Sequence, residues 1–150
     1  MKIMKAQYDD LQSILELQFL AYQSEAELLN NYEIPPLKQT LSEIRNEYAK
    51  GVILKAVDSS GRIIGSVRAY QDCDTVHIGK LIVHPEHQKK GIGTALLHEI
   101  ETVCPSARYE LFTSDKSQNN LRLYEKSGYE RFKEQEMTPT LRFIFLHKKI

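Results

Sequence analysis

The chain has 150 residues, 41% of them hydrophobic and 27% charged, so it can form one domain, residues 1–150, around one sizeable core. Twenty basic and twenty acidic residues cancel to a formal net charge of zero, which disfavours a general nucleic-acid binder, since such proteins are normally basic. No apolar run approaches the roughly 20 residues of a membrane span, and MKIMKAQYDD lacks the apolar stretch of a signal peptide. Cys73 and Cys104 lack C-x-x-C spacing. We expect a soluble cytoplasmic protein with two free thiols and no metal site.

The first third of the chain predicts one strand and two helices. The strand is KIMKAQ, and Asp9 is placed to cap the following helix, with Gln12 three residues on as in a capping box. Pro35 and Pro36 break that helix, because proline cannot continue one, and Gly51 ends the next. Apolar residues recur at helical spacing in both helices: Leu11, Ile14, Leu15, Phe19 and Tyr22 in the first, and Leu37, Leu41, Ile44 and Tyr48 in the second.

The remainder alternates strands with helices. VILKAVD and IIGSVRAY flank the turn SSG and predict a hairpin, and TVHIGKLIV follows as a third strand. A helix to about Val103, the strand RYELFTS, a short helix closed by Gly128, and the strands YERFKEQE and LRFIFLHKK complete the order β-αα-βββ-α-β-α-ββ. This order favours an α/β (α+β) architecture in which a mixed sheet carries helices on both faces.

A glycine-containing loop, QKKGIGT, lies between the strand TVHIGKLIV and the start of the following helix. Glycine disfavours helix by roughly 1 kcal/mol relative to alanine, so its presence indicates a need for bare backbone. Consecutive N–H groups of Gly91 to Ala95 at a helix N-terminus, beside Lys89 and Lys90, are suited to binding a phosphate. The alternative is a tight loop-to-helix turn with two surface lysines.

Two well-known phosphate loops fit this segment poorly. The pattern G-x-x-x-x-G-K-[ST] is absent. The dinucleotide pattern G-x-G-x-x-G has Leu96 in place of its third glycine, and the preceding strand ends too far upstream, at Val83. Asp115, at the end of the next strand, mildly favours a dinucleotide site but does not outweigh these two departures.

Two other motifs fit better. LIVHPEHQKKGIGTALL matches a strand ending in x-V-x-P followed by Q/R-x-x-G-x-G/A, and LRLYEKSGYERF contains an LYEKxGF-like segment. Together they resemble the GNAT superfamily of acetyl-CoA-dependent N-acetyltransferases over nearly the whole chain. The resemblance implies the GNAT fold, a mixed central β-sheet of about seven strands flanked by about four helices.

The resemblance also implies residue roles. The strand TVHIGKLIV is expected to splay from its neighbour, so that Leu81, Ile82 and Val83 contact the pantetheine arm of acetyl-CoA. The pyrophosphate is expected in a loop made of Gln88, Lys89, Lys90, Gly91, Ile92, Gly93 and Thr94. Tyr124, the tyrosine of the second motif, is expected near the thioester sulfur. Ser117 stands where the family often has a cofactor-binding asparagine, and we expect Asn119 to replace it.

Acyl transfer to an amine needs a neutral nucleophile, and an alkylamine is only about one part in a thousand neutral at pH 7. The departing thiolate has a parent pKa of about 8.5, so it leaves fairly well, and the phenol of Tyr124, with an ordinary pKa near 10, can still protonate it. Some family members carry a glutamate six residues before the strand's final valine, where this chain has His77, a candidate base. A water chain to a backbone carbonyl is an equal alternative for the base, and a core position at helical spacing with Leu121 is the alternative for Tyr124.

The amine acceptor is the least specified part. In the family the first two helices shape its site, and there Glu25, Glu27 and Glu33 could attract a cationic amine, unless they form a solvated helix face. We expect an N-acetyltransferase acting by direct transfer in a ternary complex, on a small-molecule or peptide amine and without nucleic acid or membrane partners. The alternatives are a CoA-binding regulatory module without catalysis and a dinucleotide-binding protein. The apolar strand LRFIFLHKK suggests a possible homodimer paired across a two-fold axis.

Overall fold

The computed structural model describes all residues, 1–150, and contains seven strands and six α-helices. The strands are β1 (Lys2–Lys5), β2 (Val52–Val57), β3 (Ile63–Asp72), β4 (Thr75–Val83), β5 (Arg108–Ser114), β6 (Glu130–Thr138) and β7 (Leu141–Lys149). The helices are α1 (Leu11–Ala21), α2 (Gln23–Leu29), α3 (Pro35–Lys38), α4 (Leu41–Lys50), α5 (Ile92–Val103) and α6 (Gln118–Lys126). The predicted element order is confirmed, with α1 and α2 in place of the predicted first helix and the one-turn α3 in addition.

All seven strands form one mixed sheet in the order β1-β2-β3-β4-β5-β7-β6. Only β4 and β5 run parallel, and their pairing is limited to Thr75–His77 against Arg108–Glu110. The antiparallel pairs on either side are longer, and β3 stays paired with β4 as far as Val83. The predicted mixed sheet of seven strands is therefore confirmed, and it opens along one seam, between β4 and β5.

The sheet separates two apolar layers. From Gly65 onward, the odd-numbered residues of β3 face α5: a Cβ on Gly65 would meet Leu96 of that helix at 3.0 Å, and Val67 and Ala69 belong to the same core cluster. The larger core lies on this side and includes Leu97 and Ile100 of α5. Helices α1 and α4 cover the opposite face, where Ile14 and Ile44 are fully buried in a smaller cluster. Helices on both faces confirm the α/β architecture.

The start of the first helix differs from the prediction. A 3₁₀ turn, Tyr8–Asp10, precedes α1, and its N-cap is Gln7, whose backbone N–H donates to the Asp10 carboxylate at 2.7 Å. Asp9 lies inside this turn and is exposed, so the predicted cap at Asp9 was wrong. The reason is the additional 3₁₀ turn, because of which the carboxylate that accepts the N-cap N–H belongs to Asp10 and not to Asp9.

The two prolines also act differently from the prediction. Helix α2 ends at Leu29, before the prolines, and Asn30 follows it in the left-handed conformation with φ 50°. Pro35 and Pro36 are instead the first residues of α3, where a helix does not use its N–H groups. The prolines therefore start a helical turn and do not end the preceding helix.

Strand β7 lies inside the sheet, between β5 and β6. The prediction that LRFIFLHKK pairs with a second copy across a two-fold axis was wrong, because both backbone edges of β7 are already paired. The free edges belong to β1 and β6, and a homodimer would have to use another surface.

No helix combines the length and hydropathy that crossing a bilayer needs.

Candidate functional site

The seam between β4 and β5 is the structural centre of the site. The parallel pairing ends at His77 opposite Glu110, and a bulge follows in β4, where Lys80 and Leu81 together oppose the single residue Val67 of β3. Lys80 has a positive φ of 51°. Beyond this bulge the side of β4 that faces β5 has no strand partner, so its backbone N–H and C=O groups are available to a ligand.

A cleft of about 670 Å³, here called the cofactor cleft, lies along this part of β4. It brings together the end of β4, the loop before α5, the start of α6 and the end of the α1–α2 segment. Ten of the predicted cofactor residues line it: Leu81, Ile82, Val83, Gln88, Lys89, Gly91, Ile92, Gly93, Thr94 and Asn119. Lys90 is exposed and is the one predicted cofactor residue outside this lining.

The loop before α5 has the backbone geometry of an anion cradle. Gly91 is the N-cap of α5 and has φ 81°, a left-handed conformation that glycine adopts at little cost. The first backbone hydrogen bond of α5 runs from the N–H of Ala95 to the carbonyl of Gly91 at 3.0 Å. The N–H groups of Ile92, Gly93 and Thr94 therefore have no acceptor inside the helix, and the predicted donor Ala95 is already used. A phosphate fits three free N–H groups at the positive end of a helix dipole.

The two glycines of the loop are required for different reasons. Gly91 has open space where a Cβ would stand and is fixed by its positive φ. Gly93 is buried, and a Cβ there would lie 3.1 Å from Cδ1 of Leu123 in α6. The missing side chain at Gly93 thus allows close packing of α5 on α6, and this packing brings the N-termini of both helices to the cofactor cleft.

Tyr124 is only 7% exposed and belongs to the larger core together with Leu121, and it is not among the residues that line the cofactor cleft. Burial raises the pKa of its phenol well above the ordinary value, and the nearby Tyr22 and Glu25 raise it further. Tyr22 and Glu25 both line the cofactor cleft. The raised pKa favours the protonated form of the Tyr124 hydroxyl, in which it can donate a hydrogen bond.

Ser117 and Glu25 connect α2 to the start of α6. The Ser117 hydroxyl donates to the Glu25 carboxylate, with oxygen–oxygen distances of 2.7 and 2.8 Å. Ser117 and Asn119 both line the cofactor cleft, but the buried Ser117 hydroxyl is bonded to Glu25, whereas Asn119 makes no side-chain hydrogen bond within the protein. The other predicted acceptor carboxylates lie apart: Glu27 is exposed, and Glu33 is exposed and paired with Lys38. The structure does not bring the three glutamates together.

A second cleft, of about 760 Å³, lies on the open face of the sheet beside α4; we call it the sheet-face cleft. His77 lines it and stacks on Tyr70, with ring centroids 5.0 Å apart. Phe112 and Phe145, whose centroids are 5.3 Å apart, continue the same wall. One side of this cleft is therefore aromatic.

The other side of the sheet-face cleft is charged, and its charged residues were not among the predicted site residues. Arg68 of β3 is 5% exposed and donates to Glu47 of α4 at 3.1 Å, and also to the side chains of Gln18 and Gln39. Burial lowers the pKa of Arg68, and the Glu47 carboxylate partly offsets this. The available signal was a charged residue inside an otherwise apolar strand, seen in IIGSVRAY and again at Lys80 in TVHIGKLIV.

The two clefts meet on β4. Gly79 and Lys80 line the sheet-face cleft, and the next residues, Leu81 to Val83, line the cofactor cleft. Adjacent residues of one strand therefore line the two clefts, so that each cleft borders the seam.

Comparison with known proteins agrees with this geometry. The family model for the acetyltransferase (GNAT) family matches residues 9–129. Two Bacillus subtilis (strain 168) proteins are similar in sequence: "UPF0157 protein YqkA", 27% identical over 119 residues, and "Uncharacterized protein YdhI", 35% identical over 81 residues. These matches cover 79% and 50% of this chain but 34% and 48% of the relatives, so the chain spans about a third to a half of their length.

The fold also matches solved structures. The PaiA N-acetyltransferase from Thermoplasma acidophilum, solved in complex with coenzyme A, superposes with a TM-score of 0.81 over 99% of this chain and 98% of that one. At 18% identity this likeness establishes the fold. Since the family model spans most of the chain, including the seam, the anion cradle and Tyr124, the chain belongs to the GNAT acetyltransferase family.

Proposed function

We propose that this chain transfers the acetyl group of acetyl-CoA to a primary amine by direct attack in a ternary complex. The observation that carries the proposal is the meeting of the two clefts on β4, one shaped for a phosphate-bearing cofactor and the other open for an acceptor. Acetyl-CoA, when bound, supplies an acetyl group activated as a thioester.

The cofactor cleft fits this group. Free N–H groups of Ile92, Gly93 and Thr94, with Lys89 beside them, would hold the pyrophosphate. The unpaired backbone of Leu81 to Val83 would bind the amide-containing arm as an added strand, in the manner of β-augmentation. Both contacts use backbone groups, so they set the position of the thioester along the seam.

Tyr124 serves as the proton donor to the departing thiolate. Its raised pKa keeps the hydroxyl protonated, and Tyr22 and Glu25, which lie near its phenol, line the cofactor cleft. A raised pKa makes the phenol a weaker acid than free tyrosine, so its proton stays on oxygen until negative charge has developed on sulfur.

His77 serves as the base that prepares the amine. It lies in the sheet-face cleft at the last residue of the β4–β5 pairing, opposite Glu110, where the seam opens. This side of β4 is the one from which an acceptor would enter. A water chain between the amine and a backbone carbonyl is the competing route, and the effect of removing His77 separates the two.

The proposal is tested by incubating the full chain with acetyl-CoA and a panel of primary amines. The assay reads free thiol and identifies the acetylated amine by mass spectrometry. We expect one amine acetylated for each CoA released. Calorimetric binding of acetyl-CoA without transfer to any amine would instead favour the CoA-binding module, and binding of NAD in its place would favour the dinucleotide alternative.

A further inference from the structure

Lys80 is a half-buried cation without a counter-charge of its own. It lines the sheet-face cleft at the bulge of β4, one residue before the backbone that borders the cofactor cleft. Burial lowers the pKa of its ammonium and the positive charge of Arg68 lowers it further, while Glu47 partly opposes both. The ammonium makes no hydrogen bond and no ion pair with the protein, and the carboxylate of Glu47 is paired with Arg68.

The surrounding cluster carries an excess of positive charge. Arg68 and Lys80 share the single carboxylate Glu47, which already accepts from Arg68 at 3.1 Å. The other partners of Arg68, Gln18 and Gln39, are neutral. The Nε atom of Arg68 is buried and has no hydrogen-bond partner. A cluster of this kind is incomplete, because buried cations are normally paired and buried donors normally satisfied.

The remaining charged groups of the cleft do not supply the missing anion. Glu110 is engaged with Arg108, whose Nη1 donates to its carboxylate at 2.8 Å. Lys50 is exposed at the mouth and adds a further positive charge. The opposite wall consists of the rings of Tyr70, His77, Phe112 and Phe145. An anion brought in by a ligand would therefore compete at Lys80 only with Glu47, a carboxylate already paired with Arg68.

We infer that the acceptor carries a carboxylate next to its amine, that Lys80 binds this carboxylate, and that an apolar side chain of the acceptor packs on the aromatic wall. The inference rests on the proposed acetyl transfer and specifies its substrate class, an apolar α-amino acid. Lys80 adjoins the seam, so a carboxylate held there leaves the neighbouring amine at the opening. The same excess of positive charge repels a polycationic acceptor, which carries no anion to offset it.

The test compares phenylalanine with phenylalaninamide as acceptors at saturating acetyl-CoA. The two differ in the carboxylate, and the amide is the more easily deprotonated amine, so reactivity alone would favour it. The variants are Lys80→Met, which removes the charge at similar length, and Lys80→Arg, which keeps it. Lys126→Met, at an exposed position in the last turn of α6, is the control.

We expect wild type to prefer phenylalanine, and Lys80→Met to raise its KM by roughly ten- to a hundredfold, the usual range for losing a charged hydrogen bond. The KM for phenylalaninamide and the affinity for acetyl-CoA should stay within about twofold of wild type, and Lys80→Arg should restore most of the preference. Equal use of both acceptors by wild type, or equal losses on both in Lys80→Met, overturns the inference and leaves the proposed transfer standing. Failure to acetylate any amine while acetyl-CoA binds overturns the proposed function, and the inference with it.

Discussion

At the scale of single residues, the sequence pattern located Gly91 and Gly93 correctly, but the physical reason for glycine differs between the two positions. The pattern indicated bare backbone for an anion at both positions. The structure gives this role to Gly91, through its φ of 81°, whereas Gly93 is fixed by its contact with Leu123. A substitution at Gly93 would disturb helix packing as well as any ligand, so Gly91 is the cleaner position to test.

Gly91→Ala should weaken acetyl-CoA binding, because a Cβ both strains a left-handed residue and crowds the anion cradle. Gly61→Ala is the matched control: Gly61 has φ 84° and open space around it, but it lies in the β2–β3 turn. Both variants should lose about 1 kcal/mol of unfolding free energy. Calorimetry should find weaker binding in Gly91→Ala alone, and equal affinities in the two variants would contradict the cradle.

Tyr124→Phe removes one hydroxyl from a buried side chain. Turnover should fall by roughly 10²–10⁴, the range for one positioned acid, while acetyl-CoA affinity is retained. Tyr129→Phe is the control, since its ring lies 6.3 Å from that of Tyr124 and its hydroxyl donates to Glu101 at 2.7 Å. That variant should lose stability and keep turnover. Unchanged turnover in Tyr124→Phe would remove the acid assignment.

His77→Ala should lower turnover most at low pH, where free amine is scarcest. Above about pH 9 a growing share of the amine loses its proton unaided, so the defect should shrink there. The Tyr124→Phe defect concerns the leaving group and should persist. The measurement is the pH–rate profile of both variants with one acceptor. A His77→Ala profile parallel to wild type throughout would favour the water chain as the base.

At the scale of elements, regular strands were predictable and irregular turns were not. β4 and β5 were predicted with their observed bounds, because TVHIGKLIV and RYELFTS are dense in β-branched and aromatic residues and end at turn residues. The start of α1 and the α2–α3 segment were misplaced. There a 3₁₀ turn and a left-handed Asn30 set the boundaries, and neither leaves a periodic pattern in sequence.

Asp10 ties the first helical segment to the sheet, because its carboxylate accepts from Lys55 of β2 at 2.7 Å. Burial alone would raise the pKa of Asp10, but hydrogen bonds from Lys55 and the Gln7 N–H hold the pKa below its ordinary value. A depressed folded-state pKa contributes stability above the ordinary pKa of about 4, and that stability is lost as the pH falls through the folded value.

Asp10→Asn should therefore lower the free energy of unfolding by about 1–2 kcal/mol at pH 7, with a smaller difference from wild type at pH 3. Urea unfolding at both pH values measures this. Asp9→Asn is the control, since Asp9 is exposed and lies one residue earlier in the same 3₁₀ turn. A loss in Asp9→Asn equal to that in Asp10→Asn, or a loss independent of pH, would contradict the assignment.

At the scale of the whole molecule, the cofactor side of the site could be predicted and the acceptor side could not. All but one of the predicted cofactor residues lie within the short segment Leu81 to Thr94, and the other is Asn119. Because these residues are close together in sequence, local motifs are enough to predict them. The sheet-face cleft takes residues from α4, β3, β4, β5 and β7. Arg68 and Glu47 become neighbours only through the tertiary fold, and a net charge of zero gives no sign of a local excess of cations.

The two clefts meeting at one seam are the central claim, and initial-rate kinetics test it most directly. Rates are measured over a matrix of acetyl-CoA and amine concentrations, with CoA and acetylated amine both quantified. Direct transfer in a ternary complex predicts intersecting double-reciprocal lines and equal amounts of the two products. Parallel lines, which indicate an acetyl group held on the protein between two half-reactions, or CoA release without acetylated amine, would contradict it.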